Sequence, residues 1–431
     1  MATTSRRQTA RILTASLVGT SVEFYDFYIY ATATSLVFGP LFFPTGSPSV
    51  QLLSSYASFG LAFLARPLGG VLFGHFGDRI GRKSTLVASL LLMGLSTAAI
   101  ALLPTYAMIG WTAPLLLCLL RFGQGLGLGG EWSGAALLAV ENAPPGWRSR
   151  YGMMPQLGAP IGFIAANGFF LLLGAWLTPA QFLDWGWRVP FLASALLVGL
   201  GLWVRLKLTE TAAFTAALRD EAPARVPVML VMREHLGPAV AGTLGVIACF
   251  ALYYIATAFA LGYGTTQLGY DRQAFLQAQL GAILFMAAGI VAAGWLADAT
   301  SGRRVLLAGC AGTILVGALL PSLLGSGSMT GVFAFMALAL LAMGFVYGPL
   351  GAWLPSLFPA RVRYTGTSLA FNLGGVVGGG LTPALAQLMA ERGGLTPVGL
   401  YLAAAAVLSI VGLIAARGDR YARETPGAGD R

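Results

Sequence analysis

The feature that most limits what this chain can become is the length of its apolar runs. Twelve blocks of mostly apolar residues follow one another: 11–38, 52–74, 84–103, 112–140, 150–176, 187–207, 236–262, 275–297, 304–324, 330–356, 365–390 and 397–416. Each is long enough to cross the ~30 Å hydrocarbon core of a bilayer as a helix rising ~1.5 Å per residue. No period of two runs through them, so they are not the alternating strands of a barrel. Composition agrees, with 57% hydrophobic and only 10% charged residues, where soluble domains carry about a quarter charged. A water-soluble globule of 431 residues could not bury so much apolar surface. The expected fold is therefore an all-α membrane protein with twelve transmembrane helices. The first block is itself a full span with acids in it, so no cleavable signal peptide is read. Cys118, Cys249 and Cys310 lie inside apolar blocks with no paired spacing and read as small core residues.

Charge sets the orientation. With the amino terminus inside, 21 of the 26 Lys and Arg residues fall on the cytoplasmic side, and only Arg188, Arg272 and Arg392 fall outside. Positive loops resist translocation, so both termini are expected in the cytoplasm. The net charge of +10 then faces anionic lipid headgroups and calls for no nucleic acid. The blocks also repeat. Gly74-His-Phe-Gly-Asp78 follows span two, and Gly294-Trp-Leu-Ala-Asp298 follows span eight, each with arginines shortly after. Arg148-Ser-Arg150-Tyr-Gly precedes span five, and Arg361-Val-Arg363-Tyr-Thr-Gly precedes span eleven. Two duplicated six-helix halves are expected, 1–207 and 236–416, with a polar cytoplasmic linker at 208–235 and a short tail at 417–431. That is the plan of a carrier that rocks about a site between its halves.

Charges inside spans locate that site. Glu23, Asp26, Arg66, Arg121 and Glu131 all lie in first-half blocks, and the interiors of the six later blocks hold none. Each costs ~2.5–3.5 kcal/mol or more at bilayer centre, which demands a purpose. Asp26 is the candidate proton carrier. Glu23 lies three residues away on the same helix, so the two carboxylates should repel when ionised, which suits proton exchange near neutral pH. Arg121, Gln124 and Glu131 fall on one stripe of a straight helix, ~15 Å from end to end. The arginine fork suits a substrate carboxylate. Glu131 either carries a proton or pairs with Arg66, itself a further candidate for the substrate. Tyr253, Tyr254, Tyr347 and Asn372 are candidates for the neutral part of the cavity, and Tyr30 is a further candidate for the substrate site. Gly125-x-Gly127-x-x-Gly130 matches a dinucleotide fingerprint, but it sits mid-span without a preceding strand and reads as close helix packing. No cluster of His, Cys or Ser with acids resembles a metal or nucleophilic site, so no enzyme activity is expected.

Residues 74–83, Gly-His-Phe-Gly-Asp-Arg-Ile-Gly-Arg-Lys, resemble the loop signature of the major facilitator superfamily. Within that superfamily, Glu23-Phe-Tyr-Asp26-Phe, Arg66-Pro-Leu-Gly-Gly, the run from Arg121 to Glu131, Trp187-Arg-Val-Pro-Phe-Leu and Leu357-Phe-Pro-Ala-Arg-Val-Arg363-Tyr-Thr-Gly366 resemble the metabolite:H+ symporter family, and its shikimate-type branch in particular. The resemblance implies proton-coupled import of a small organic anion, shikimate-like or another mono-, di- or tricarboxylate, by alternating access. Its alternative is a zwitterion such as proline or betaine. It implies a monomer in a bacterial-type inner membrane, driven by the proton gradient with no cofactor or metal. It also implies a cytoplasmic gate built from Gly74, Asp78, Arg79, Gly81, Arg82 and Glu141, with Asp298 and Arg303 as second-half counterparts. Asp78 should then face the start of span eleven near Thr365 and Gly366. Two positions depart from the family pattern: Ser356 stands where an acid usually precedes Leu-Phe-Pro, and Ala212 where a proline usually follows Glu-Thr.

Overall fold

The computed structural model describes residues 6–80, 82–206 and 227–416, without the side chains of residues 6–12, 77–80, 82–84, 86 and 204–206. Among these residues the regular structure is entirely helical. The first half begins with span one, Arg6–Ala33, which continues through a widened turn at Thr34–Phe38. Span two is Pro48–Ile80, span three Arg82–Ala101, and span four the pair Thr112–Leu128 and Glu131–Glu141. Span five covers Arg148–Trp176, and span six is Arg188–Leu206 after a bent lead-in at Pro179–Gly186. The second half comprises Leu236–Thr266, Arg272–Ala299, Gly302–Leu324, Met329–Trp353, Ala360–Gly393 and Leu395–Ala415, spans seven to twelve.

Every expected block falls on one of these spans. By length and apolarity alone, nine described helices could cross a membrane, or ten with the bent pair as one. Span one interrupts its apolar run with Glu23 and Asp26, and the apolar stretch of span three, Val87–Ala101, is shorter. Twelve crossings return the chain to its starting side, so residues 6 and 415 share one face, the terminal side. Exposed tryptophans mark both interfaces, Trp147 and Trp295 at terminal-side span ends and Trp111, Trp176 and Trp185 at the opposite ends. Their amphipathic rings suit headgroup depth. Span starts are capped where a side chain can reach a free backbone N–H. Asp271 accepts from Ala274, and Ser301 and Ser328 do the same for spans nine and ten.

Burial separates an inner from an outer ring. The apolar window of span seven is 94% buried, against 44% for spans five, eight, nine and twelve, which face lipid. Within the expected linker, Pro227–Glu234 is a helix that packs on spans seven and eleven. The rest of that linker, 208–226, lies outside the described residues, as do the expected tail and residues 1–5.

Candidate functional site

Between the halves lies a small cavity. Glu23, Phe24, Phe27 and Tyr28 of span one and Arg66 of span two form its first-half wall. Cys249, Phe250, Tyr253 and Tyr254 of span seven, Tyr347 of span ten and Phe371 of span eleven form the second-half wall. Its two charged residues are nearly sealed from solvent, Glu23 at 2% and Arg66 at 6% exposure. Arg66 is held from two sides. Its Nε donates to Asn372 Oδ1 at 3.2 Å, and its guanidinium lies 5.4–5.8 Å from the rings of Phe27, Phe63 and Phe371. Tyr253 and Tyr347 present hydroxyls without a hydrogen-bond partner of ordinary geometry among the described residues.

Asp26 is one layer behind that wall. Ser194 Oγ of span six donates to its Oδ1 at 2.5 Å, and Thr97 Oγ of span three to its Oδ2 at 3.3 Å. Thr97 in turn accepts from Gln124 Nε2 at 2.7 Å, and Gln124 Oε1 accepts from Arg121 Nη1 at 3.0 Å. A continuous polar chain thus joins Ser194, Asp26, Thr97, Gln124 and Arg121 across four spans of the first half. Arg121 is wholly buried, with its guanidinium 3.9 Å from the Tyr30 ring and 4.5 Å from that of Phe27. Its Nε and Nη2 have no hydrogen-bond partner among the described residues. Cation–π contact in a desolvated site, worth up to ~2 kcal/mol, replaces part of the hydration it has lost.

The halves touch on both sides of the cavity. Away from the terminal side, Tyr56 Oη and Ser35 Oγ donate to Ala258 O at 2.8 and 3.2 Å, and Gln267 reaches Ser49 at 2.9 Å. On the terminal side, Asp298 receives the Ser149 and Arg150 backbone N–H groups at 2.8 and 3.0 Å, and the Arg150 side chain lies 3.4 Å away. A carboxylate at a helix start satisfies free N–H groups and the helix dipole together. Trp132 stacks flat on Phe371 at 3.6 Å, and Gln156 donates to Tyr347 O at 2.9 Å. The cavity is therefore occluded.

The structure sorts the expected site residues by neighbourhood. Glu23, Arg66, Tyr254 and Tyr347 line the cavity, and Asn372 adjoins it through Arg66. Arg121, Gln124 and Tyr30 do not line it; Phe27 stands between Arg121 and the space. Glu23 and Asp26 face different surroundings, one the cavity and the other spans three and six. Span four passes through a turn at Gly129–Gly130, where both glycines keep right-handed helical dihedrals, between Thr112–Leu128 and Glu131–Glu141. Glu131, 1% exposed, occupies the first turn of the second segment. Of the expected gate, Gly74 is buried against Tyr364 and Thr365 at the start of span eleven. The side chains of Asp78, Arg79 and Arg82, and all of Gly81, lie outside the described residues. Glu141 ends span four. Asp298 crosses between halves, whereas Arg303 donates to Ile414 O within its own half. Thr97, Ser194 and Ser368 carry no sequence signal beyond a hydroxyl in an apolar span, whereas Tyr364 stands in the repeated Arg-Tyr motif before span eleven without its partner being legible there.

A charged, occluded cavity between two six-helix halves is the architecture of an alternating-access membrane transporter. The chain belongs to the major facilitator superfamily, whose model matches residues 16–383. It is 49% identical to an inner membrane metabolite transport protein of Escherichia coli, over 95% of this chain and 94% of that one. A shikimate transporter of the same organism is 39% identical over 94% of each chain. Its proline/betaine transporter is 30% identical over 94% of this chain and 82% of its own. Among solved structures, a D-xylose–proton symporter superposes with a TM-score of 0.71 at 16% identity, covering 95% of this chain and 97% of that one. The protein is a multi-pass transporter of a small solute and not an enzyme.

Proposed function

We propose that this transporter carries a small organic anion inward together with a proton, with its terminal side facing the cytoplasm. The observation that carries the anion is Arg66, the cation on the cavity wall. Its Nε is engaged by Asn372, which leaves the outer edge of the guanidinium available as a planar fork for a carboxylate. The orientation rests on the 21 of 26 basic residues assigned to the terminal side. Asp26 is the proton site: it is ionisable, buried among hydroxyl donors and linked by hydrogen bonds to a second arginine. The shikimate transporter among the relatives favours a shikimate-like substrate over larger di- and tricarboxylates.

A zwitterion is the second reading. Glu23 shares the wall with Arg66, and the rings of Tyr28 and Tyr254 could face a quaternary ammonium. Uptake into proteoliposomes under an imposed inside-alkaline gradient separates the two, using shikimate, citrate, 2-oxoglutarate, proline and betaine in turn. Gradient-dependent accumulation of a carboxylate is expected. Accumulation of betaine or proline ahead of every carboxylate would overturn the anion reading, and indifference to the gradient would overturn proton coupling.

A further inference from the structure

The Gly129–Gly130 turn of span four presents two backbone carbonyls to donors beyond its own helix. Their partners come from the other half. Gly129 O accepts from Ser368 Oγ at 2.7 Å and from Asn372 Nδ2 at 2.6 Å, and Gly130 O accepts from the Tyr364 hydroxyl. All three donors lie on one face of span eleven, between the cavity and the terminal side. Room for them exists because Gly70 of span two has no side chain: a Cβ there would stand 2.9 Å from Ser368 Oγ and 3.2 Å from Asn372 Nδ2. Asn372 serves two masters. Its amide nitrogen holds the span-four carbonyl, and its amide oxygen holds the Nε of Arg66 on the cavity wall.

We propose that Asn372 is a positioning residue that ties the cavity arginine to a cross-half clasp at the Gly129–Gly130 turn of span four, so that the state of Arg66 sets how firmly the terminal side is shut. A planar amide cannot turn its NH2 away from Gly129 without moving its oxygen away from Arg66. Drawing the guanidinium toward a ligand therefore loosens the clasp, and freeing the clasp releases the guanidinium. The inference rests on the proposed function only in taking that ligand to be an anion at Arg66; the link itself exists without one.

The protein supplies its own reporter, since Cys249 lines the cavity and is buried. In a Cys118→Ser/Cys310→Ser background, an impermeant cationic methanethiosulfonate is applied from the terminal side of sealed vesicles, with no solute added. Ser368→Ala should raise the labelling rate of Cys249 by ~5-fold for its one lost cross-half hydrogen bond, Asn372→Ala by at least as much because it removes two, and Ser368→Thr should not raise it. Arg66→Gln should raise it as well, and the Arg66→Gln/Asn372→Ala pair should exceed the larger single change by less than twofold, because the two act through one link. Fully multiplicative rates in the pair, or parental labelling in Arg66→Gln, would overturn the coupling; parental labelling in both Asn372→Ala and Ser368→Ala would overturn the clasp. Ser368→Ala guards against misfolding of the Asn372 variant, and gel-filtration profiles confirm that each is intact. Failure of carboxylate uptake would count against the proposed function alone, since labelling requires no substrate.

Discussion

Arg66 and Arg121 are both buried arginines, yet their neighbours give them different work. Arg66 meets the cavity, and Arg121 is enclosed by rings with one hydrogen bond to Gln124. Arg66→Lys keeps the charge but loses the fork, so affinity for the transported carboxylate should fall by about 1.5–3 kcal/mol. That is roughly 10–150-fold in Kd, measurable by isothermal titration. Arg121→Lys should leave Kd within about threefold, since no cavity contact is lost, while slowing uptake; a loss of binding equal to that of Arg66→Lys would place the carboxylate at Arg121. Asp26→Asn removes the group that gains and loses the proton but keeps its hydrogen-bonding outline. Uphill accumulation should vanish while solute exchange at equal concentrations survives, and normal accumulation would exclude Asp26 as the proton site. That these charges are buried was legible in the sequence, because charge is expensive in hydrocarbon and stands out within an apolar run. Their partners were not: Thr97 and Ser194 look like any small residue in an apolar span, and nothing local says which neighbour they will face.

At the scale of elements, hydrocarbon thickness makes spans easy to read and their interruptions hard. All twelve blocks became helices, because each had to satisfy its backbone internally over the same depth. The turn at Gly129–Gly130 was hidden, since glycine within a span signals either close packing or a bend. Here the same short stretch does both. Gly125 lies directly against the Ala62 backbone of span two, and Gly127 would bring a Cβ to 2.8 Å from Ser89 O of span three. The dinucleotide-like spacing is thus a packing seam, as its mid-span position implied. Gly125→Ala should force spans two and four apart, costing about 1–3 kcal/mol as overpacking and lowering the melting temperature in detergent. Gly168 in span five meets nothing within 4 Å, so Gly168→Ala should change stability by no more than about 1 kcal/mol in either direction. Equal melting shifts in the two variants would show that the seam carries no packing constraint.

Across the whole molecule, the repeat places equivalent devices at equivalent loops. In the second half, Asp298 reaches across to the start of span five; in the first, Gly74, one turn before Asp78, packs against Tyr364 and Thr365 at the start of span eleven. The duplication was legible because the loop motifs repeat, whereas the closed state on both sides depends on contacts between distant residues. Closure of the terminal side needs the two halves together, so the Asp298 contact should bias the conformational equilibrium more than the folding equilibrium. Asn at position 298 keeps one acceptor but loses the charge and turns an NH2 toward the Ser149 and Arg150 donors. Loss of an N-terminal cap costs about 1 kcal/mol, and loss of the charge–dipole attraction about 0.3–1 kcal/mol more. The ratio of closed to open molecules should fall by roughly 9–30-fold. Asp298→Asn should therefore express and melt like the parent, label Cys249 faster from the terminal side, and transport more slowly against a gradient. The Arg150 guanidinium, held between Trp147 and Trp295 at 4.4 and 4.1 Å, retains its ring contacts in that variant, so the loop keeps its shape while losing its link. A lowered melting temperature with unchanged labelling would instead make Asp298 a brace of the folded protein, with closure set by the packing of spans five and ten, where Gly152 and Gly351 meet backbone to backbone.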